Sequence, residues 1–147
     1  MDEQLLRDIA PCGLVCRSCA SLDDGLIAYH ATELARWLEG FEGFAARFSG
    51  FQPRLAQYPA FRDVLDLLAH GPCAGCREGE GCMPGCVVRA CTRERGHAFC
   101  AECAEFPCDK VTFEGQLRVA WLAANRRIKD EGAEAFRREA RERGHYE

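Results

Sequence analysis

Eleven cysteines in a chain of 147 residues constrain the fold more than any other feature. Eight of them fall in one stretch, CAGCREGEGCMPGCVVRACTRERGHAFCAECAEFPC, which runs from Cys73 to Cys108. Thiols this dense are tied together by disulfides, by zinc or by an iron–sulfur cluster. An odd total excludes a fully paired disulfide framework within a monomer. The leading residues Met-Asp-Glu-Gln-Leu-Leu-Arg-Asp carry acids where a signal peptide needs bases, and no apolar segment follows. No run approaches the roughly 18 apolar residues of a membrane span. We therefore expect a cytoplasmic protein with no membrane association, in a compartment that disfavours disulfides, and metal ligation becomes the leading reading.

The length fits a single domain over residues 1–147, able to bury about 68–70% of its unfolded surface without staples. Three parts are expected: an N-terminal cysteine loop with helices over 1–72, a cysteine-rich core over 73–108, and C-terminal helices over 109–147. The net charge is −4 and no segment is strongly basic. Zinc held by four thiolates adds about two negative charges per ion, so nucleic acid is not the expected partner.

The first cysteine group is Cys12-Gly-Leu-Val-Cys16-Arg-Ser-Cys19, in a loop whose small residues let backbone amides point at sulfur. Ser21 to Asp24 resembles an acidic capping box and predicts a helix over about 22–39, with Leu26, Ile27, Leu34, Trp37 and Leu38 as its apolar face. Phe41, Phe44, Phe48 and Phe51 follow at helical spacing and are expected to pack into the core. Pro53 and Pro59 bound a connection, and Phe61, Val64, Leu65, Leu67 and Leu68 predict a further helix stopped by Gly71-Pro72. Glycines 75, 79, 81 and 85 argue for irregular chain up to Cys86. A short helix is expected from Val87 to Arg95, with Gly96 just past its end. Thr112 is a candidate cap for a long helix with Phe113, Leu117, Val119, Trp121, Leu122 and Ile128. A break near Gly132 precedes a last helix over about 133–143, ending at Gly144, whose mixed charges predict a solvated surface. The fold class expected is mainly α: helices flanking an irregular cysteine-rich metal-binding core with zinc-knuckle turns.

Three C-x-x-C pairs are present: Cys16/Cys19, Cys73/Cys76 and Cys100/Cys103. Each places two sulfurs within reach of one ion, and two such turns close a tetrahedral site. The ligands expected are Cys12, Cys16, Cys19, Cys73, Cys76, Cys82, Cys86, Cys91, Cys100, Cys103 and Cys108, holding two or three zinc ions. His97 is the best-placed histidine to complete twelve ligands, with His70 next, while His30 and His145 read as structural or exposed. Cys108 taken alone could be a small buried hydrophobe. Catalytic zinc keeps an open position and mixes in histidine or carboxylate, and neither H-E-x-x-H nor a deaminase pattern is present. Structural sites fit better, so no catalytic residue is assigned and a non-enzymatic role is expected.

The spacing Cys12-x3-Cys16-x2-Cys19 matches the radical S-adenosylmethionine signature. Ser18 stands where that motif has an aromatic, and no strand–helix alternation supports a barrel. An iron–sulfur redox or electron-transfer protein is the alternative function.

The order of motifs resembles the prokaryotic cysteine-rich family labelled domain of unknown function 3795. The matching pieces are CGLVCRSC at 12–19, CAGC at 73–76, CVVRACTRERG at 86–96, FCAECAEFPC at 99–108 and RRIKDEGAEAFRRE at 126–139. Two departures are Pro11, where the family often has an aromatic, and the wider spacing of Cys82-x3-Cys86. The resemblance implies a zinc-binding protein and carries a ligand role onto the matched cysteines. It implies no substrate. The function expected is a zinc-binding protein with structural cysteine-ligated sites, acting as a protein-interaction module. Because sites confined to 73–108 would leave three thiols unemployed, the N-terminal loop is expected to fold back and share a site through Cys91 or Cys108.

Overall fold

The computed structural model describes residues 2–143 together with 145 and 146. Among these the chain is mainly helical, with seven α-helices and no strand beyond isolated bridges. They are α1 (Glu3–Asp8), α2 (Leu26–Trp37), α3 (Phe41–Phe48), α4 (Tyr58–Ala69), α5 (Val87–Arg95), α6 (Gly115–Glu131) and α7 (Ala133–Ala140). Short 3₁₀ turns cover Pro53–Gln57 and Cys100–Glu102. No helix among the described residues is long and apolar enough to cross a membrane.

The longest helix, α6, organises one half of the molecule. Its buried residues Trp121, Ala124, Asn125 and Ile128 recur at the i, i+3, i+4, i+7 positions of one helical face. Trp121 lies in one core cluster with Cys12, Val88, Cys100, Cys103, Phe106 and Phe113. Ala124 and Ile128 lie in a second with Leu5, Ile9, Phe99, Ala101 and Phe136. The face of α6 thus separates a cysteine-lined core from an aliphatic and aromatic one. Gly132, at φ +86°, turns the chain into α7, which packs back on α6 and against α1. There Arg137 is buried and donates to Asp8 at 2.7 Å, joining the last helix to the first.

Helices α2 and α4 form an antiparallel pair with a small core of its own, Ala31, Leu65 and Ala69. Tyr58 at the start of α4 donates to the Leu38 carbonyl at the end of α2 (3.2 Å), which fixes their opposed directions. The two ends of this excursion meet: Leu22 and Cys73 form a parallel bridge, with the Cys73 N–H on the Ser21 carbonyl (2.8 Å) and the Asp23 N–H on the Cys73 carbonyl (3.0 Å).

Several expectations are corrected here. Ser21–Asp24 does not cap a helix: the Ser21 carbonyl is taken by that bridge, α2 starts only at Leu26, and Gly25 precedes it without a side-chain cap. Small Ala28 and Ala31, not the large residues, are what α2 buries, leaving Trp37 75% exposed. The phenylalanine stripe is also outside. Phe44, Phe48 and Phe51 are exposed, Phe51 by 87%, and the rings stack along the surface instead, with Phe44 and Phe48 4.4 Å apart. Helix α3 packs against the Pro53–Gln57 turn and the start of α4 through Ala45 and Tyr58, which leaves these rings on its outer side. Pro59 lies in the first turn of α4, where its missing N–H is harmless. Thr112 is likewise no cap, since α6 begins at Gly115 after Glu114. The charged tail is not wholly solvated, because Arg137 is buried against Asp8. The expected end of that helix at Gly144 lies outside the described residues.

Helix α5 matches its predicted bounds. Gly96 takes φ +66°, and the N–H groups of Gly96 and His97 return to the carbonyls of Arg93 (3.3 Å) and Thr92 (2.9 Å), a Schellman close.

Candidate metal centre

The turn at Cys12 is seated on α6 by two devices. Gly13 adopts φ +86°, and a Cβ placed there would meet the Ala124 Cβ at 2.8 Å and the Asn125 Nδ2 at 3.1 Å. Only glycine lets the loop approach this closely. Asn125 then clamps it: Nδ2 donates to the Cys12 carbonyl (2.7 Å) and to Trp121 O (2.9 Å), while Oδ1 accepts from the Ala101 N–H (2.9 Å). The Cys100 N–H donates to the Pro11 carbonyl at 2.8 Å. One fully buried amide therefore fixes the N-terminal cysteine loop relative to the Cys100–Cys103 turn.

All eleven cysteines are free thiols, and two neighbourhoods of them meet in one core, where Cys12, Cys100 and Cys103 are buried with Cys16, Cys76, Cys86 and Cys108 packed against them. In the first, Cys12, Cys16 and Cys19 from the N-terminal loop lie with Cys73, Cys76, Cys82 and Cys86. The Leu22–Cys73 bridge brings the end of the N-terminal loop alongside Cys73. At Cys19 and Cys73 alike, a backbone N–H two residues on points at sulfur: Ser21 to Cys19 (3.5 Å) and Gly75 to Cys73 (3.4 Å). Such donors orient the sulfurs of the two turns. A Cβ at Gly81 would stand 2.7 Å from the Cys76 Sγ, so the backbone of that loop passes directly over the sulfur.

The second neighbourhood contains Cys91 from α5, Cys100 and Cys103 from the 3₁₀ turn, and Cys108 beyond the cis Phe106–Pro107 bond. These four line one cavity. Arg95 donates to the Cys103 Sγ (3.1 Å) while its other nitrogen pairs with Glu105 (2.8 Å), which also takes Lys110 (3.0 Å). Trp121 is 0% exposed, stands edge-on to Phe106 and Phe113, and its indole N–H has no hydrogen-bond partner. That N–H lies near enough to Cys100 to favour the thiolate form. An orphaned buried donor beside a sulfur is what a metal-bound thiolate would satisfy.

Burial dominates the acidity of these thiols. It pushes Cys12 up to about 12, against the backbone contact at Leu14, with Cys76, Cys86 and Cys82 adding to the rise. Burial raises Cys16 further, and Cys76 and Cys12 reinforce it. Cys100 is pushed up to about 11 by burial, partly opposed by Trp121. Thiols held neutral in this way are poor nucleophiles, and only a cation makes their ionised forms favourable. Among the described residues no three Cys, His, Asp or Glu side chains converge closely enough to hold an ion with the thiols in their present rotamers.

Residues 8–113 match the model of the family described as Protein of unknown function (DUF3795). The chain belongs to this family. No curated protein and no solved structure matches it. The DUF3795 match takes in all eleven cysteines and stops before α6, so the tail resemblance at 126–139 lies beyond it.

The N-terminal loop folds back onto the cysteine-rich stretch at both of its ends: the Leu22–Cys73 bridge docks it against the start, and Cys12 shares a core cluster with Cys100 and Cys103, with Cys16 and Cys108 packed against it. His97 lines the same cavity as Cys91 and Cys100, with its Nδ1 facing Glu102 at 3.8 Å. The Nδ1 of His70 instead sits 2.9 Å from the Asp66 carbonyl. Sequence reasoning missed Asn125, Arg95 and the Trp121 N–H. An asparagine inside an otherwise apolar helical face was the one legible signal.

Proposed function

We propose that this DUF3795 protein binds zinc through its cysteines at structural sites, and that the ions lock the N-terminal loop, the 73–108 stretch and α6 into one scaffold. The observation that carries this reading is the four-thiol cavity of Cys91, Cys100, Cys103 and Cys108. There an unpartnered indole N–H and a guanidinium already point toward sulfur. The donor set fits: soft thiolates suit zinc, and four complete a closed tetrahedral site. When bound, the ion supplies folding free energy and no chemistry. The chain's own groups do the rest. Arg95 and Trp121 offset thiolate charge, the Ser21 and Gly75 amides orient Cys19 and Cys73, and Asn125 holds both cysteine regions in register.

The scaffold presents α2–α4 outward, with Trp37, Phe44, Phe48 and Phe51 exposed on it. An exposed aromatic patch of this kind supports a role as a protein-interaction module in the cytoplasm. Metal analysis and a visible spectrum of anaerobically purified protein test the reading. Stoichiometric zinc, no colour and loss of structure on chelation are expected. Iron with a charge-transfer band would replace it with the iron–sulfur alternative, to which Cys12-x3-Cys16-x2-Cys19 would lend its spacing. Metal-free, fully folded protein would remove both.

A further inference from the structure

We infer that the apolar side of the α2–α4 helix pair is a self-association surface, and that the protein it takes is a second copy of this chain. This rests on the protein-interaction reading and names its partner.

The face is assembled from three helices. Leu34 and Trp37 stand three apart on α2, and Phe61 and Val64 three apart on α4, so each pair shares one side of its helix. Both lie on the side opposite to that where the Arg62 guanidinium crosses to the Ala35 carbonyl (3.2 Å). A run of ring contacts continues the face onto α3. Phe61 meets Tyr58 (6.0 Å between centroids), Tyr58 meets Phe41 (5.0 Å), and Phe41 meets Phe44 (5.1 Å), which stacks on Phe48.

Its size suits a dimer. At about 200 Å² for a full aromatic side chain, the exposed fractions of 75% at Trp37, 49% at Phe44, 37% at Phe48 and 44% at Phe61 leave roughly 400 Å² of ring in solvent. The half-exposed Leu34 and Val64 bring the apolar surface to about 600 Å², the top of the range for the largest patch on a typical monomer. A standard interface takes about 800 Å² from each partner, which this face and its polar rim are large enough to supply.

Two observations favour a copy of the chain as occupant. The first is how little the helix pair buries by itself. Two helices of 12 residues share a core of Ala31, Leu65 and Ala69, and the main helix contacts of α2, α3 and α4 are with one another. Helices this short draw their stability from an apolar layer packed on them. Two antiparallel pairs laid face to face form a four-helix packing in which each supplies the other's missing half of the core. The second is charge. Residues 26–69 carry five acids and four bases. That balance steers neither a strongly charged peptide nor an anionic lipid surface to the face, and it lets an identical face approach without repulsion.

Sedimentation velocity on the full chain as purified, under reductant and over a range of concentrations, tests this. A species of twice the 16.4 kDa chain mass is expected, with a Kd on the order of 1–10 μM. Trp37→Ser and Val64→Asp, both at exposed positions, should each weaken association at least about tenfold with unchanged circular dichroism. Val119→Ser, at an exposed position on α6, should leave it intact, and added salt should not weaken it. Should one face variant misfold, the other decides. A monomer at every concentration, or a dimer that survives the face variants, would overturn the second copy. If that monomer binds anilinonaphthalene sulfonate and Trp37→Ser abolishes the binding, the interaction surface stands with a different partner; a monomer that binds no dye removes the interaction reading as well.

Discussion

Replacing Asn125 by alanine removes the amide that ties Cys12 to Ala101, and the structure fixes what is left behind. The Ala101 N–H and the Cys12 carbonyl lose their partners at a position with 0% exposure, while the Trp121 carbonyl keeps the helix bond it already has. Each orphaned buried backbone group costs about 1–3 kcal/mol. Alanine's better helix propensity returns at most ~0.7 kcal/mol. A net loss of about 3 kcal/mol is the working value, a large share of the 5–15 kcal/mol typical of a domain. At this chain length it lowers Tm by roughly 6–12 °C. Urea unfolding followed by circular dichroism measures it, run on protein as purified and after chelation. Asn125→Asp is the companion variant, because it retains shape and acceptor but turns an anion toward the Cys12 carbonyl; it should be no better than alanine. If Asn125→Ala loses less than about 1 kcal/mol in both preparations, the clamp is not what seats the N-terminal cysteine loop, and the account of that loop fails.

Other perturbations have equally direct readouts. Gly13→Ala forces a Cβ against Ala124 at an unfavourable φ and should destabilise by about 2 kcal/mol or more in urea melts; a neutral result would show that the loop lifts off α6 freely. Arg137→Met leaves the buried Asp8 carboxylate short of its closest partner, for a loss of about 3–5 kcal/mol at neutral pH. Burial disfavours the Asp8 anion, but Gln4, Arg137 and Arg17 outweigh it and hold its pKa below the usual range. The stability it lends is therefore present above the unfolded carboxylate pKa and lost as pH falls through the depressed one, so the wild-type advantage over Arg137→Met should shrink in acid. A pH-independent gap would contradict that assignment. Trp121→Phe keeps the packing and deletes the N–H; zinc retention against a competing chelator should fall by about 10–100-fold, and unchanged retention would detach Trp121 from the thiols. Phe51→Ser, at an 87% exposed site, should shift stability by no more than ~0.5 kcal/mol, and a larger loss would mean that the residue is covered.

Local signals were read well wherever a single residue decides the backbone. Gly96 ends α5 and Gly132 separates the last two helices because both take positive φ, which composition alone announces. The helical class followed from periodicity for the same reason. Reading failed where burial depends on what arrives from elsewhere. Trp37 and the phenylalanines have the spacing of a core face, yet the faces of α2 and α3 that meet α4 bury Ala28, Ala31 and Ala45 and leave Trp37, Phe44, Phe48 and Phe51 on the surface. Arg137 failed in the opposite sense. It reads as one more charge in a solvated tail, and only the arrival of Asp8, 129 positions away, makes it a buried pair. The cysteines themselves were legible as a set, but how the N-terminal three dock on the rest depends on the bridge at Leu22, a backbone contact with no sequence signature.

That bridge also changes what the excursion through α2, α3 and α4 means for the rest of the molecule. Roughly fifty residues leave at Leu22 and return at Cys73 to a neighbouring strand position, so seen from outside they occupy the gap of a tight turn. Such a gap sets no length for what fills it. The helical pair is an appendix on a smaller body, joined to the cysteine loop at its root by the Leu22–Cys73 bridge and by the Leu26 N–H on the Arg17 carbonyl (2.8 Å). Variation in this part of the chain would then alter what the protein meets, while the cysteine framework beneath stays as it is.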